Sequence, residues 1–122
     1  MILQESGEMY LETILVLSER LAAVRSIDIA TELGVSKPSV SRAVKLLKND
    51  EFINVDTLGG ITLTTKGRAV AEGVLERHHV ITELLKTIGV SAEVAEEDAC
   101  RVEHYISKET FEALKAALEK IK

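Results

Sequence analysis

The 122-residue chain has one cysteine, one proline, no tryptophan, two tyrosines and two phenylalanines. A lone Cys100 excludes an internal disulfide and fits a reducing cytoplasm. With Tyr10, Phe52, Tyr105 and Phe111 as the only large rings, the core has to be built from Leu, Ile, Val and Ala, which suits packed helices. No apolar run approaches the about 20 residues of a membrane-spanning helix. The opening Met1-Ile2-Leu3-Gln4-Glu5 lacks a basic region followed by an apolar one, so no signal peptide is expected, and the chain is expected to be cytoplasmic with no membrane partner.

Positive charge is also scarce, with a formal net charge of −5, which taken alone argues against nucleic acid. Its distribution argues the other way. Residues 1–24 carry one basic and four acidic groups, and residues 69–122 carry seven and eleven. Residues 25–68 carry seven basic groups against five acidic ones, so only the middle of the chain is positive.

That middle holds the strongest local pattern. A first helix is expected over 8–21, with Tyr10, Leu11, Ile14, Leu17 and Leu21 at helical spacing. Ser26 is expected to cap a short helix that runs through Leu33 and stops at Gly34. Ser36 caps the next helix, with Lys37 and Pro38 in the first turn, where proline is tolerated. Val40, Ala43, Val44 and Leu47 form the inward face of this helix. Ser39, Ser41, Arg42, Lys45 and Lys48 form the outward one. A short helix, a glycine turn and a helix with a small-polar and basic outer face make a helix-turn-helix. Ser36, Lys37, Pro38, Ser39, Ser41, Arg42 and Lys45 are the expected DNA contacts, Arg42 to guanine or phosphate and the lysines to phosphate. An ordinary helical hairpin with a solvated basic face is the plainer reading.

Two alternating stretches, 52–56 and 61–64, flank Gly59-Gly60 and predict a β-hairpin, the wing of a winged helix. Its tip, Thr57-Leu58-Gly59-Gly60, has no basic residue, so backbone contact with DNA is expected. Thr64 or Thr65 caps a long helix to about 87, with Lys66 and Arg68 near the DNA side. Gly89 stops it, Ser91 caps another helix, and Ser107 caps a last one with Phe111, Leu114, Ala117, Leu118 and Ile121 as its stripe. Those final helices are too small for a core of their own, which predicts a homodimer. The expected architecture is mainly α: a winged helix-turn-helix DNA-binding domain over 1–70 and a helical metal-binding and dimerisation domain over 71–122.

The second domain carries Ala99-Cys100-Arg101-Val102-Glu103-His104. On a helix, Cys100, Glu103 and His104 fall at i, i+3 and i+4 and share a face. Thiolate, carboxylate and imidazole together form half a site for a divalent transition metal. Met9 with Glu12, and His78 or His79, are the other available donors. Singly, each residue reads as packing or solvated surface. In register, they favour metal. Catalysis is not expected. Cys100 and His104 lie one turn apart with no glycine-rich turn nearby to stabilise an oxyanion, and no substrate domain is evident. The other function class is a metal-independent winged-helix regulator in which Cys100 senses redox state or simply packs.

Glu8-Met9-Tyr10-Leu11, the helix-turn-helix with Ser36 and Pro38, the run Leu63-Thr64-Thr65-Lys66-Gly67, and the Cys100–His104 stretch together resemble the diphtheria toxin repressor and manganese transport regulator family of metal-activated repressors. The resemblance covers nearly the whole chain. It implies a winged-helix domain, a helical dimerisation domain and metal bound between them. It also implies primary ligands at Met9, Cys100, Glu103 and His104, a second site at His78, and, as in manganese-type members, a ligand at Glu12. His79 is the weaker histidine by this resemblance. Manganese-type members carry carboxylates where Met9 and Cys100 stand. Iron-type members lack Glu12 and use positions that fall here on Thr82 and Glu96. The chain is thus a mixture of the two. It is expected to lack the SH3-like third domain of larger relatives.

Thioether and thiolate are soft donors that disfavour Mn(II) relative to Fe(II), Co(II), Ni(II) or Zn(II). Fe(II) is the first expectation in a cytoplasm and Mn(II) the second, with Zn(II) or Co(II) also compatible. The expected partners are a palindromic double-stranded operator and a second copy of the chain, with no small-molecule substrate. By the resemblance, the expected outcome is repression of metal-uptake genes.

Overall fold

The computed structural model describes residues 5–122, with only the backbone of Glu5 described. The signal-peptide reading of Met1–Gln4 lies outside the described residues. The elements run α1 (Glu5–Arg20), α2 (Ser26–Leu33), α3 (Lys37–Asn49), β1 (Ile53–Val55), β2 (Ile61–Leu63), α4 (Thr65–Thr87), α5 (Ala92–Val102) and α6 (Lys108–Ile121). They form two compact units, one ending at Glu72 and one spanning Gly73–Lys122. No described helix is long and apolar enough to cross a membrane.

In the first unit, α1 buries Tyr10, Leu11, Ile14, Leu15 and Leu17 at helical spacing, and it packs on α2, α3 and β2. The start of α2 differs from expectation. Ser26 is the first helical residue, and Arg25 is the N-cap. The Arg25 N–H donates to Asp28 Oδ2 at 2.9 Å, so a carboxylate in the first turn performs the capping that a serine hydroxyl was expected to perform. Gly34 ends α2 in the left-handed conformation at φ 65°, which a side chain would strain. Ser36 caps α3 as read from sequence, its hydroxyl accepting from the Ser39 N–H at 3.3 Å.

The hairpin pairs Ile53 with Leu63 and Val55 with Ile61, antiparallel. Both strands are shorter than the alternating stretches in the sequence. Val24 adds a bridge to Ile61, the Ile61 N–H donating to the Val24 carbonyl at 2.7 Å. The wing therefore rests on the segment between α1 and α2.

The run Leu63-Thr64-Thr65-Lys66-Gly67 is a joint. Thr64 Oγ1 accepts from the Gly67 N–H at 3.0 Å, making Thr64 the cap of α4, and lies 2.7 Å from the Glu51 carbonyl, to which it donates. Lys66 Nζ donates to the Asp50 carbonyl at 3.0 Å and stands 4.2 Å over the Phe52 ring. Its ammonium thus also ties the start of α4 to the segment between α3 and β1. A Cβ on Gly67 would stand 2.0 Å from the Phe52 carbonyl oxygen, so only glycine fits.

The second unit comprises the rest of α4 with α5 and α6. Val74, Ile81, Ala95, Ala99, Phe111 and Leu118 are buried. Arg77 of α4 lies 5.8 Å from the Phe111 ring and donates to the Glu103 carbonyl at 3.2 Å. Lys115 of α6 reaches Glu76 at 3.2 Å. Ser91 and Ser107 cap α5 and α6 through the Val94 and Thr110 N–H groups.

Candidate metal centre and nucleic-acid face

The six expected metal ligands divide three ways. Met9 and Glu12 lie on α1 of the first unit, both half-buried. His78 lies on α4, and Cys100, Glu103 and His104 lie at the end of α5.

The α5 group is not on one continuous helix. The helix ends at Val102, and Glu103 is its C-cap at φ −57°, ψ −26°. His104 and Tyr105 continue as a turn, with the Tyr105 N–H donating to the Val102 carbonyl at 3.0 Å. No glycine or proline marks this end, so the pattern of i, i+3 and i+4 ran two residues past the end of the helix.

The chemistry centres on Glu103, which is 1% exposed. Its Oε2 stands 2.8 Å from His78 Nδ1, and its Oε1 stands 3.2 Å from His104 Nε2. Cys100 Sγ is 3.8 Å from the same His78 Nδ1. On the far side of the imidazole, His78 Nε2 is 3.7 Å from Glu96 Oε1. His79 is exposed. Thr82, one turn along α4 from His78, has a buried hydroxyl with no hydrogen-bond partner among the described residues.

A carboxylate taken out of water costs several kcal/mol unless opposing charge offsets it, on the order set by its lost hydration. Glu103 has two imidazoles against its oxygens, and a soft thiol lies beside one of those rings, donor types that suit a cation. Donors at about 2.0–2.3 Å from one ion and at the tetrahedral angle stand roughly 3.3–3.8 Å apart. The thiol–imidazole spacing already lies at that distance, and the carboxylate–imidazole contacts need to open by only a few tenths of an ångström. A carboxylate such as Glu96 beyond the ligating ring would fix the tautomer and strengthen the donor. By its chemistry, a donor set of carboxylate, imidazole and thiol suits a divalent transition metal.

In the first unit, Val40 and Leu47 are buried on α3, while Ser36, Lys37, Pro38, Ser41, Arg42 and Lys45 are exposed. Ser39 is half-buried. Its hydroxyl accepts from Ser36 Oγ at 2.8 Å and from Arg42 Nη2 at 3.4 Å. The two serines thus steady the first turn as well as keeping it small, and Arg42 is held against that turn.

Sequence reasoning missed Arg25, whose guanidinium Nε donates to the Leu58 carbonyl at the wing tip at 3.3 Å. The two residues are 33 positions apart, and only an arginine following an extended residue hinted at it.

The fold has counterparts among known proteins. The family model described as "Iron dependent repressor, N-terminal DNA binding domain" matches residues 2–61. The one described as "Iron dependent repressor, metal binding and dimerisation domain" matches residues 64–122. The chain is 35% identical to the transcriptional regulator MntR of Escherichia coli O6:H1 over 91% of its own length and 72% of the relative's. It is 34% identical to a helix-turn-helix-type transcriptional regulator of Methanocaldococcus jannaschii, covering 98% of each. It superposes on the manganese regulator SloR with a TM-score of 0.81 at 32% identity, over 98% of this chain and 55% of that one. The chain therefore spans about half the length of the SloR structure. These are regulators of transcription rather than enzymes. A winged helix followed by a helical unit with a buried carboxylate among imidazole and thiol donors accordingly belongs to the iron-dependent repressor family, metal-dependent repressors with a DNA-binding and a dimerisation domain.

Proposed function

We propose that this chain is a cytoplasmic homodimer that binds a palindromic operator when Fe(II), or secondarily Mn(II), is plentiful, and so represses metal-uptake genes. Zn(II) and Co(II) are the further metals its donors accept. Residues 1–70 act as the DNA-binding domain and residues 71–122 as the metal-binding and dimerisation domain. The observation that carries the reading is Glu103, a carboxylate 1% exposed with His78 at 2.8 Å and His104 at 3.2 Å on its two oxygens. The name of the manganese regulator SloR, to which the chain is similar, supports Mn(II). The Cys100 thiolate and Met9 thioether support Fe(II) ahead of it.

Met9, Glu12, His78, Cys100, Glu103 and His104 are the proposed metal ligands. A bound divalent cation supplies positive charge and a fixed point for these donors. Glu12 and Glu103 are the anionic donors of the proposed set, whose charge a bound divalent cation would offset. Met9 and Glu12 project from α1, which packs on α2, α3 and β2, so any change in α1 is passed to the whole helix-turn-helix. Ser36, Lys37, Pro38, Ser39, Ser41, Arg42 and Lys45 then meet the major groove, and the two copies of α3 present half-sites about 34 Å apart. Metal and DNA must tighten each other's binding by the same factor. About 4–5 kcal/mol of differential binding moves the competent fraction from a few per cent to nearly all.

Fluorescence anisotropy on a palindromic AT-rich duplex tests this, with chelator first and then anaerobic Fe(II), Mn(II), Co(II) or Zn(II) separately. Binding is expected only with metal. Binding that ignores both metal and chelator would sink the reading in favour of a metal-independent regulator with a redox-sensing or structural Cys100.

A further inference from the structure

The wing tip carries an apolar side chain that the fold does not use. Leu58 is 78% exposed, more than any other large hydrophobic residue described. Its backbone, by contrast, is held on both sides. The Leu58 N–H donates to Asp56 Oδ1 at 2.9 Å, and its carbonyl accepts from Arg25 Nε at 3.3 Å. The Gly60 N–H donates to the same Asp56 oxygen at 2.8 Å. The Asp56 N–H donates to the Gly60 carbonyl at 2.9 Å, and the Gly59 N–H to the Asp56 carbonyl at 3.1 Å. The turn is thus tied together by its own polar groups, and the isobutyl group of Leu58 is presented outward on a fixed base.

Arg25 is anchored as well. Its N–H is held by Asp28, and the preceding Val24 bridges to β2. The residues of the tip between Asp56 and Ile61 bear no charge, and Asp56 is acidic. Arg25 therefore brings to the wing the positive charge that the hairpin lacks. A guanidinium that spends one N–H on the Leu58 carbonyl keeps several others for a phosphate. The hairpin follows α3 directly, with the Phe52 N–H donating to the Leu47 carbonyl at 2.9 Å. A recognition helix in the major groove leaves the adjoining minor groove to such a wing.

We propose that Leu58 is an apolar DNA contact, packing on the sugar walls of the minor groove, and that Arg25 clamps the neighbouring phosphate. This rests on the DNA-binding reading above. It replaces the backbone contact expected from the tip's sequence with contact through two side chains, one supplied from outside the hairpin.

The test uses the full chain with Fe(II), Mn(II), Co(II) or Zn(II) in turn and a labelled palindromic AT-rich duplex, titrated at several salt concentrations. Leu58→Ala is expected to weaken binding about tenfold, from the apolar area no longer buried, with an unchanged salt slope. Leu58→Met, which keeps an apolar side chain, is expected to retain most of the affinity. Arg25→Gln is expected to weaken binding and to lower the salt slope by about one, the signature of one lost phosphate contact. A minor-groove ligand such as netropsin should compete more strongly with the parent than with Leu58→Ala. Thermal melts of each variant separate lost contact from lost folding. If the parent binds and both variants follow it at every salt concentration, the wing proposal is overturned and the DNA-binding reading stands. If the parent binds no duplex with any of the metals, the DNA-binding reading fails and takes the wing with it.

Discussion

His78 Nδ1 lies 2.8 Å from Glu103 Oε2, joining the middle of α4 to the cap of α5 across 25 residues. That contact places an imidazole against a carboxylate that water barely reaches.

The charge on Glu103 is a burden without metal and an asset with it. In chelator, Glu103→Gln is expected to be as stable as the parent or more stable by about 1–2 kcal/mol, because an isosteric amide is cheaper to bury than a carboxylate. Added Mn(II) should raise the melting temperature of the parent and leave the variant unmoved, since only a ligand that binds the native state stabilises it. Thermal melts with and without metal check both halves. An equal metal response in the two proteins would remove Glu103 from the ligand set.

Met9 is expected to set the balance between soft and hard metals. Met9→Asp replaces a thioether with a carboxylate and should shift activation toward Mn(II) relative to Fe(II) by about tenfold or more. The readout is the ratio of metal concentrations that half-activate DNA binding. An unchanged ratio would show that Met9 does not set the preference.

Arg42 is exposed on α3 and held against the first turn by Ser39 Oγ at 3.4 Å. Arg42→Ala should cost about 1–3 kcal/mol on a preferred duplex and much less on unrelated DNA, because a bidentate base contact discriminates while a phosphate contact does not. Parallel titrations on the two duplexes distinguish the cases. Equal losses would make Arg42 a phosphate contact.

Gly67 is predicted to tolerate no side chain. A Cβ would stand 2.0 Å from the Phe52 carbonyl oxygen, and the obstacle is backbone. Gly67→Ala should cost about 2–3 kcal/mol and lower the melting temperature by about 10 °C. Denaturant unfolding of the two proteins measures it. A neutral result would mean that the joint between the wing and α4 yields easily.

Much of the fold was legible because helix signals are local. Ser36, Ser91 and Ser107 each cap a helix through an N–H three residues on, and a hydroxyl followed by apolar spacing announces that arrangement within one turn. The Gly34 turn and the hairpin around Gly59-Gly60 are equally local. Where local reading failed, a neighbour in sequence competed with a better partner in space. Ser26 looked like the cap of α2, but Asp28 reaches the Arg25 N–H and performs that role. The Cys100–His104 stretch has no breaker, yet α5 ends at Val102, with Glu103 turned inward to its contacts with His78 and Arg77.

By itself the sequence determined the order of helices, the winged helix-turn-helix and the chemical types of the donors, because periodicity, capping and side-chain chemistry act over four residues or fewer. Tertiary structure alone decided that His78 meets Glu103 directly, that Lys66 reaches the Asp50 carbonyl and the Phe52 ring, and that Arg25 reaches the wing tip. Those pairings join residues between 14 and 33 positions apart. They form only when buried apolar faces bring distant segments together, and no local pattern in the chain encodes them.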